Sequence, residues 1–214
     1  MTASINEIFN SSLHAISQSL LTPVMIILAI FFIYALINLG ILLAVYYKRR
    51  KEKTDIKLVI GQLMSVKVFK NPDEIKKVIN LANIPPSHKE VLKTMADSHD
   101  TSSEYRESLA LKLVEDEGIA AAKKLERTDI IAKISPAIGL MGTLIPLGPG
   151  LTALGAGDIQ ELAEHLLIAF DAAVLGMASA AIAFTVSKIR RRWYEEDLSN
   201  LETLADTLLE IMKC

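Results

Sequence analysis

The stretch 162-LAEHLLIAFDAAVLGMASAAIAFTVS-187 decides the fold. It exceeds the roughly 20 mainly apolar residues that a membrane span requires. It also carries one carboxylate, Asp171, well inside the apolar run. An ionised Asp at mid-bilayer costs about 2.5–3.5 kcal/mol on insertion scales, so such a residue faces a bundle interior or a water path and marks a functional site. Ala172, Gly176 and Ala180 recur every four residues, with Ala169, Ala173, Ala178, Ser179, Ala181 and Ala183 around them. Faces of this kind let membrane helices approach closely where lipid supplies no hydrophobic drive. The stretch is therefore expected to be a packed interior helix, with Asp171 on or near its contact face.

Upstream, residues 155–161 form a short turn without a basic residue, and 130–154 (IIAKISPAIGLMGTLIPLGPGLTAL) make a second apolar run. Pro136, Pro146 and Pro149 and four glycines punctuate it. Non-helical backbone at membrane depth is tolerated only inside protein or beside a water-filled cavity. This run is thus expected to be broken and buried in an assembly. It is no phosphate loop, since no Lys-Ser/Thr follows the glycines.

Downstream, Lys188, Arg190, Arg191 and Arg192 close the third run, with Trp193 and Tyr194 beside them. In the tail, Leu198, Leu201, Leu204, Leu208 and Ile211 form a narrow stripe suited to a helix packing on a neighbour or a copy. Residues 48–129 are polar, mixed in charge and helical in period. Asn71-Pro72-Asp73-Glu74 offers a helix start, Pro85-Pro86 a break, and Ser87 to Glu90 and Thr101 to Glu104 have capping-box spacing. One helix is expected from about Ser102 straight into the second span.

The first apolar run, Leu20 to Tyr47, is free of charge, and Asn38 is its main interior polar group, expected to bond another helix. Tyr46 and Tyr47 precede the cluster Lys48-Arg49-Arg50-Lys51. Residues 1–18 hold no basic residue, so the run does not read as a cleaved signal. All 23 Lys and Arg lie in 48–133 or 188–214. By the positive-inside rule the N-terminus is outside and the C-terminus cytoplasmic. The reading is an all-α, multi-pass protein of the plasma membrane. An outer segment 1–18 precedes a first span at 19–47 and a cytoplasmic helical domain at 48–129. A second span at 130–154, an outer loop at 155–161 and a third span at 162–187 follow, and a cytoplasmic C-terminal helix, 188–214, ends the chain.

The net charge is −2, and 51% of residues are hydrophobic. The basic clusters adjoin span ends, where topology and anionic membrane lipid account for them without nucleic acid. Cys214 is the lone cysteine, which rules out an internal disulfide. His14, His88, His99 and His165 lack a second ligand at metal-binding spacing, so no metal or other cofactor is expected. Without a nucleophile triad, paired acids in one span or a nucleotide loop, the chain does not read as an enzyme.

Two motifs carry a resemblance. Leu125-Glu126-Arg127-Thr128, followed by Ser135-Pro136-Ala137-Ile138-Gly139-Leu140-Met141-Gly142-Thr143, resembles the second-span signature of the MotA/TolQ/ExbB proton-channel family. Ala169-Phe170-Asp171-Ala172-Ala173-Val174-Leu175-Gly176 resembles its third-span pattern. The resemblance is close over 125–187 and architectural elsewhere. It implies a pentameric homo-oligomer around a single-span ExbD/TolR-like membrane protein, with proton or sodium flow driving mechanical work or envelope transport. Thr143 matches the second-span threonine of the ion path. The third-span threonine is replaced by Ala173, and Ile168 stands where some members carry a glutamate. Asp171, Thr143 and Ser179 are thus assigned to the ion path. Pro136, Gly139, Gly142, Ala172, Ala173 and Gly176 are assigned to helix packing. Counting residues from the span ends puts Thr143 and Asp171 at depths that differ by about 4 Å. A non-conducting oligomeric scaffold, with Asp171 a buried hydrogen-bonding group, is the alternative.

Overall fold

The computed structural model describes residues 12, 15–51, 56–66 and 72–213. The expected cap at Asn71, and His14 and Cys214, lie outside the described residues. Among the described residues these helices follow in order: α1 (Leu21–Lys51), α2 (Ile56–Val66), α3 (Pro72–Leu81), α4 (Pro86–Asp97), α5 (Ser103–Ala156) and α6 (Ile159–Lys213). No strand occurs among the described residues. Among the described residues three helices are long and apolar enough to cross a membrane: Ala15–Lys51, Ser103–Ala156 and Ile159–Lys213. At about 1.5 Å per residue, the 54 residues of α5 and the 55 of α6 far exceed a bilayer core, so only part of each is needed to span it.

The chain divides into two compact units. The first comprises residues 1–43 and 127–188, the second 44–126 and 189–214. In the second unit a leucine-rich core joins α2 through α6. Val59, Leu63, Ile79, Leu92 and Met95 meet Leu201, Leu204 and Leu208. The tail stripe thus packs on neighbouring helices of its own chain, and the tail is a continuation of α6. Its three- and four-residue steps match the apolar faces that the short helices α2, α3 and α4 present. Tyr46 stacks on Trp193 with ring centroids 6.4 Å apart, and the Arg49 guanidinium lies 5.3 Å over the same ring while pairing with Asp197.

Two capping expectations need correction. The Pro85–Pro86 break holds, but α4 starts at Pro86, with Pro85 at its N-cap and no side-chain cap bond. A proline at the first helical position needs no backbone donor there, which places Ser87 inside the helix. For α5 the cap is Ser102, whose Oγ accepts from the Tyr105 N–H at 3.3 Å. Thr101 instead donates its hydroxyl to the Ser98 carbonyl.

In the first unit α5 turns into α6 within two residues, tighter than the loop expected. Gly157 takes a left-handed φ of +82°. Its N–H donates to the Leu154 carbonyl and that of Asp158 to the Ala153 carbonyl, which closes the α5 C-terminus. The Asp158 carboxylate then accepts from the Glu161 N–H at 3.0 Å and caps α6.

The second span is not broken: Pro136, Pro146 and Pro149 lie inside the continuous helix α5. Each proline removes the donor to the carbonyl four residues back. The carbonyl that Pro149 strands is Ile145's, and Gln18 Nε2 donates to it at 3.2 Å. A side chain from the α1 side replaces the missing backbone donor, and the helix runs on.

Candidate ion-path site

The seam between α5 and α6 buries Gly139, Gly142, Ala172, Gly176 and Ser179; Thr143 and Ala173 are half-buried at its edge, and Pro136 and Asp171 are exposed. Ala169, Ala172, Gly176, Ala180 and Ala183 on α6 are buried, and Gly139 and Gly142 face them from α5. Backbone meets backbone here. A Cβ on Gly176 would lie 2.8 Å from Gly139 Cα, and one on Gly142 would lie 2.6 Å from Ala172 Cβ. Only residues without bulk permit that approach.

Sequence reasoning passed over the polar groups that pin the seam. Ser135, fully buried, donates to the Gly176 carbonyl at 3.0 Å. Ser187, also buried, donates to the Asp129 carboxylate at the other end. Ser135 was legible as a motif residue, and its four- and seven-residue spacing to Gly139 and Gly142 was the available signal. At the turn end, Gly150 sits over His165, where a Cβ would come within 3.2 Å of His165 Cβ. His165 Nδ1 is buried without a hydrogen-bond partner among the described residues, and Nε2 lies 3.8 Å from Glu161. Asn38 is buried in α1, and its Nδ2 donates to the Tyr34 carbonyl of its own helix at 2.9 Å.

The Gly142–Ala172 contact sets a level and two sides. Thr143 and Asp171 each stand one residue from it, hence within about 3 Å of one level. Each residue turns a helix by about 100°. In an antiparallel pair, stepping forward from Gly142 and backward from Ala172 turns in the same sense when viewed from one end. Thr143 and Asp171 therefore point to opposite sides of the pair. Ala173 shares the side of Thr143. Ile138, Ile145 and Leu175 turn towards the side of Asp171, and they pack with Val24 and Leu28 of α1.

Asp171 is off the contact face. It is exposed on the subunit surface beside exposed Leu167, Phe170 and Val174. Thr143 is half-buried, and its hydroxyl donates to the Leu140 carbonyl at 2.7 Å. Ser179 is fully buried in the seam and donates to the Leu175 carbonyl at 2.6 Å. Among the described residues no hydrogen bond joins any two of Asp171, Thr143 and Ser179.

Long apolar helices joined by a small-residue seam, one of them bearing Asp171, fit a multi-pass membrane protein. The sequence model of the MotA/TolQ/ExbB proton channel family matches residues 84–203, more than half of the chain. The chain belongs to that family. Among curated proteins, none matches it at a significant level. Family membership brings proton-channel function in membrane energy transduction.

Proposed function

We propose that this chain is the multi-span subunit of an ion-motive-force-driven complex. It assembles with copies of itself around a single-span partner, passes protons or sodium ions along a path between subunits, and so drives mechanical work or envelope transport. The observation that carries this reading is the exposure of Asp171 on a span, among Leu167, Phe170 and Val174. A carboxylate on such a face is costly against acyl chains, so a protein surface covers it in the assembly. That surface belongs to a neighbouring copy or to the partner, and there the carboxylate exchanges a cation. Thr143 and Ala173 line the opposite side at the same level. The basic clusters at 48–51 and 188–192 support an outer N-terminus and a cytoplasmic second unit.

The test is Asp171→Asn in the complete complex, reconstituted in vesicles carrying a pH-sensitive dye. We expect assembly to persist and proton flux to fall at least fivefold; sodium-dependent flux in matched buffers reads the ion. Unchanged flux would remove Asp171 from the path. The scaffold reading draws on one observation, that the Thr143 and Ser179 hydroxyls are both committed to carbonyls of their own helices. Full function of the complex in uncoupled membranes would establish it instead.

A further inference from the structure

The second unit carries a groove of about 580 Å³ between the start of α5 and the end of α6. Ala110 and Ala205 form its buried floor, and Val114, Leu209 and Leu111 its apolar walls. Leu111 is 74% exposed, which leaves a large aliphatic side chain open at the edge. Along one rim run Glu202, Asp206 and Glu210, at successive four-residue steps on α6. Like charges at that spacing repel and cost the helix a few tenths of a kcal/mol per pair. Lys213, the rim's one cation, is paired with Glu107 at 2.6 Å. Among the described residues none of the three α6 carboxylates makes an ion pair.

We propose that this groove docks a basic amphipathic helix of a partner protein, with lysines or arginines at four-residue steps and an aliphatic stripe between them. The stripe covers Leu111, Val114 and Leu209, and the cations neutralise the carboxylate ladder at its own spacing. A second copy is a poorer occupant. The chain's basic clusters, Lys48–Lys51 and Lys188–Arg192, lie nearer the spans than the carboxylate ladder. Arg49 pairs with Asp197, five residues before Glu202, and Arg192 precedes Glu202 by ten, about 15 Å along the helix. Rotation about a membrane normal keeps those clusters at their own level, away from the groove. The inference goes beyond the proposed function and stands whether or not Asp171 exchanges a cation.

The probe is a fluorescent helical peptide with Lys at every fourth position and a leucine stripe, titrated against the full chain in neutral-lipid nanodiscs. Empty discs and a Glu-for-Lys peptide serve as references. We expect saturable anisotropy with the chain-loaded discs only. Binding should weaken at least tenfold for Glu202→Gln/Asp206→Asn/Glu210→Gln, and again between 50 and 300 mM salt. Leu111→Ser should weaken it severalfold with the salt dependence kept. The triple variant relieves repulsion, so its circular dichroism and melting should match or exceed the parent. Equal binding by the triple variant, or by the Glu-for-Lys peptide, overturns the proposal. So does a triple variant that changes the size of the oligomer and leaves peptide binding intact, since the groove is then a contact between copies.

Discussion

In the first unit α5 and α6 meet through Gly139, Gly142, Ala172 and Gly176, with backbone against backbone. In the second unit α6 packs instead through leucines against α2, α3 and α4, with Leu201, Leu204 and Leu208 wholly or almost wholly buried. The solvent explains the difference. In water, burying apolar surface yields about 25 cal/mol per Å², so large side chains make the better core. In lipid, leucine gains nothing by leaving the acyl chains, and close approach through small residues is what holds helices together. One unit should therefore break when atoms are removed, the other when atoms are added.

The largest effect tests the leucine core. Leu208→Ala should cost about 2–5 kcal/mol through lost burial and a residual cavity, read as a fall in the melting temperature of the purified protein. The seam responds to the opposite change. Gly176→Ala places a methyl 2.8 Å from Gly139 Cα, a backbone atom that cannot swing aside, and should cost about 1–3 kcal/mol. If Gly176→Ala proved stabilising, the backbone-to-backbone contact, and the contrast with it, would be wrong.

A smaller effect sharpens the account of the proline-bearing span. Gln18→Ala leaves the Ile145 carbonyl without its side-chain donor and should cost about 1 kcal/mol. In a Pro149→Ala background the backbone N–H returns, so the same change should be nearly silent. A double-mutant cycle measures that coupling. Additive costs would mean that Gln18 does not substitute for the missing donor.

The smallest effect belongs to the second unit. Burial lowers the His88 pKa from its usual 6.5, and neighbouring Lys124 adds to the fall; the carboxylates of Glu117, 3.9 Å away, and Asp197 oppose it. The unfolded chain then binds the proton more readily than the folded one. Stability is full above about pH 6.5 and declines as the pH falls through that value towards the lowered one. His88→Gln should flatten the decline in melting temperature between pH 7.5 and 5. An unchanged slope would assign the dependence to other groups.

Residue order alone determined the three apolar runs, the small-residue face of α6 and the family motifs, because span length and four-residue periodicity are local properties of the chain. It also placed Asp171 and Thr143 at nearly one depth, since helical rise needs only a count. Tertiary structure decided the rest. Which side of the α5/α6 pair each residue faces depends on which residues of two helices touch. That contact, Gly142 on Ala172, puts Thr143 and Asp171 on opposite sides. Whether the carbonyl that Pro149 strands is satisfied depends on a donor reaching in from elsewhere, and Gln18 lies 127 residues from it. What the leucine stripe of the tail covers depended likewise on the faces of α2, α3 and α4, because a periodic pattern shows that a helix has a face to bury and not which surface receives it.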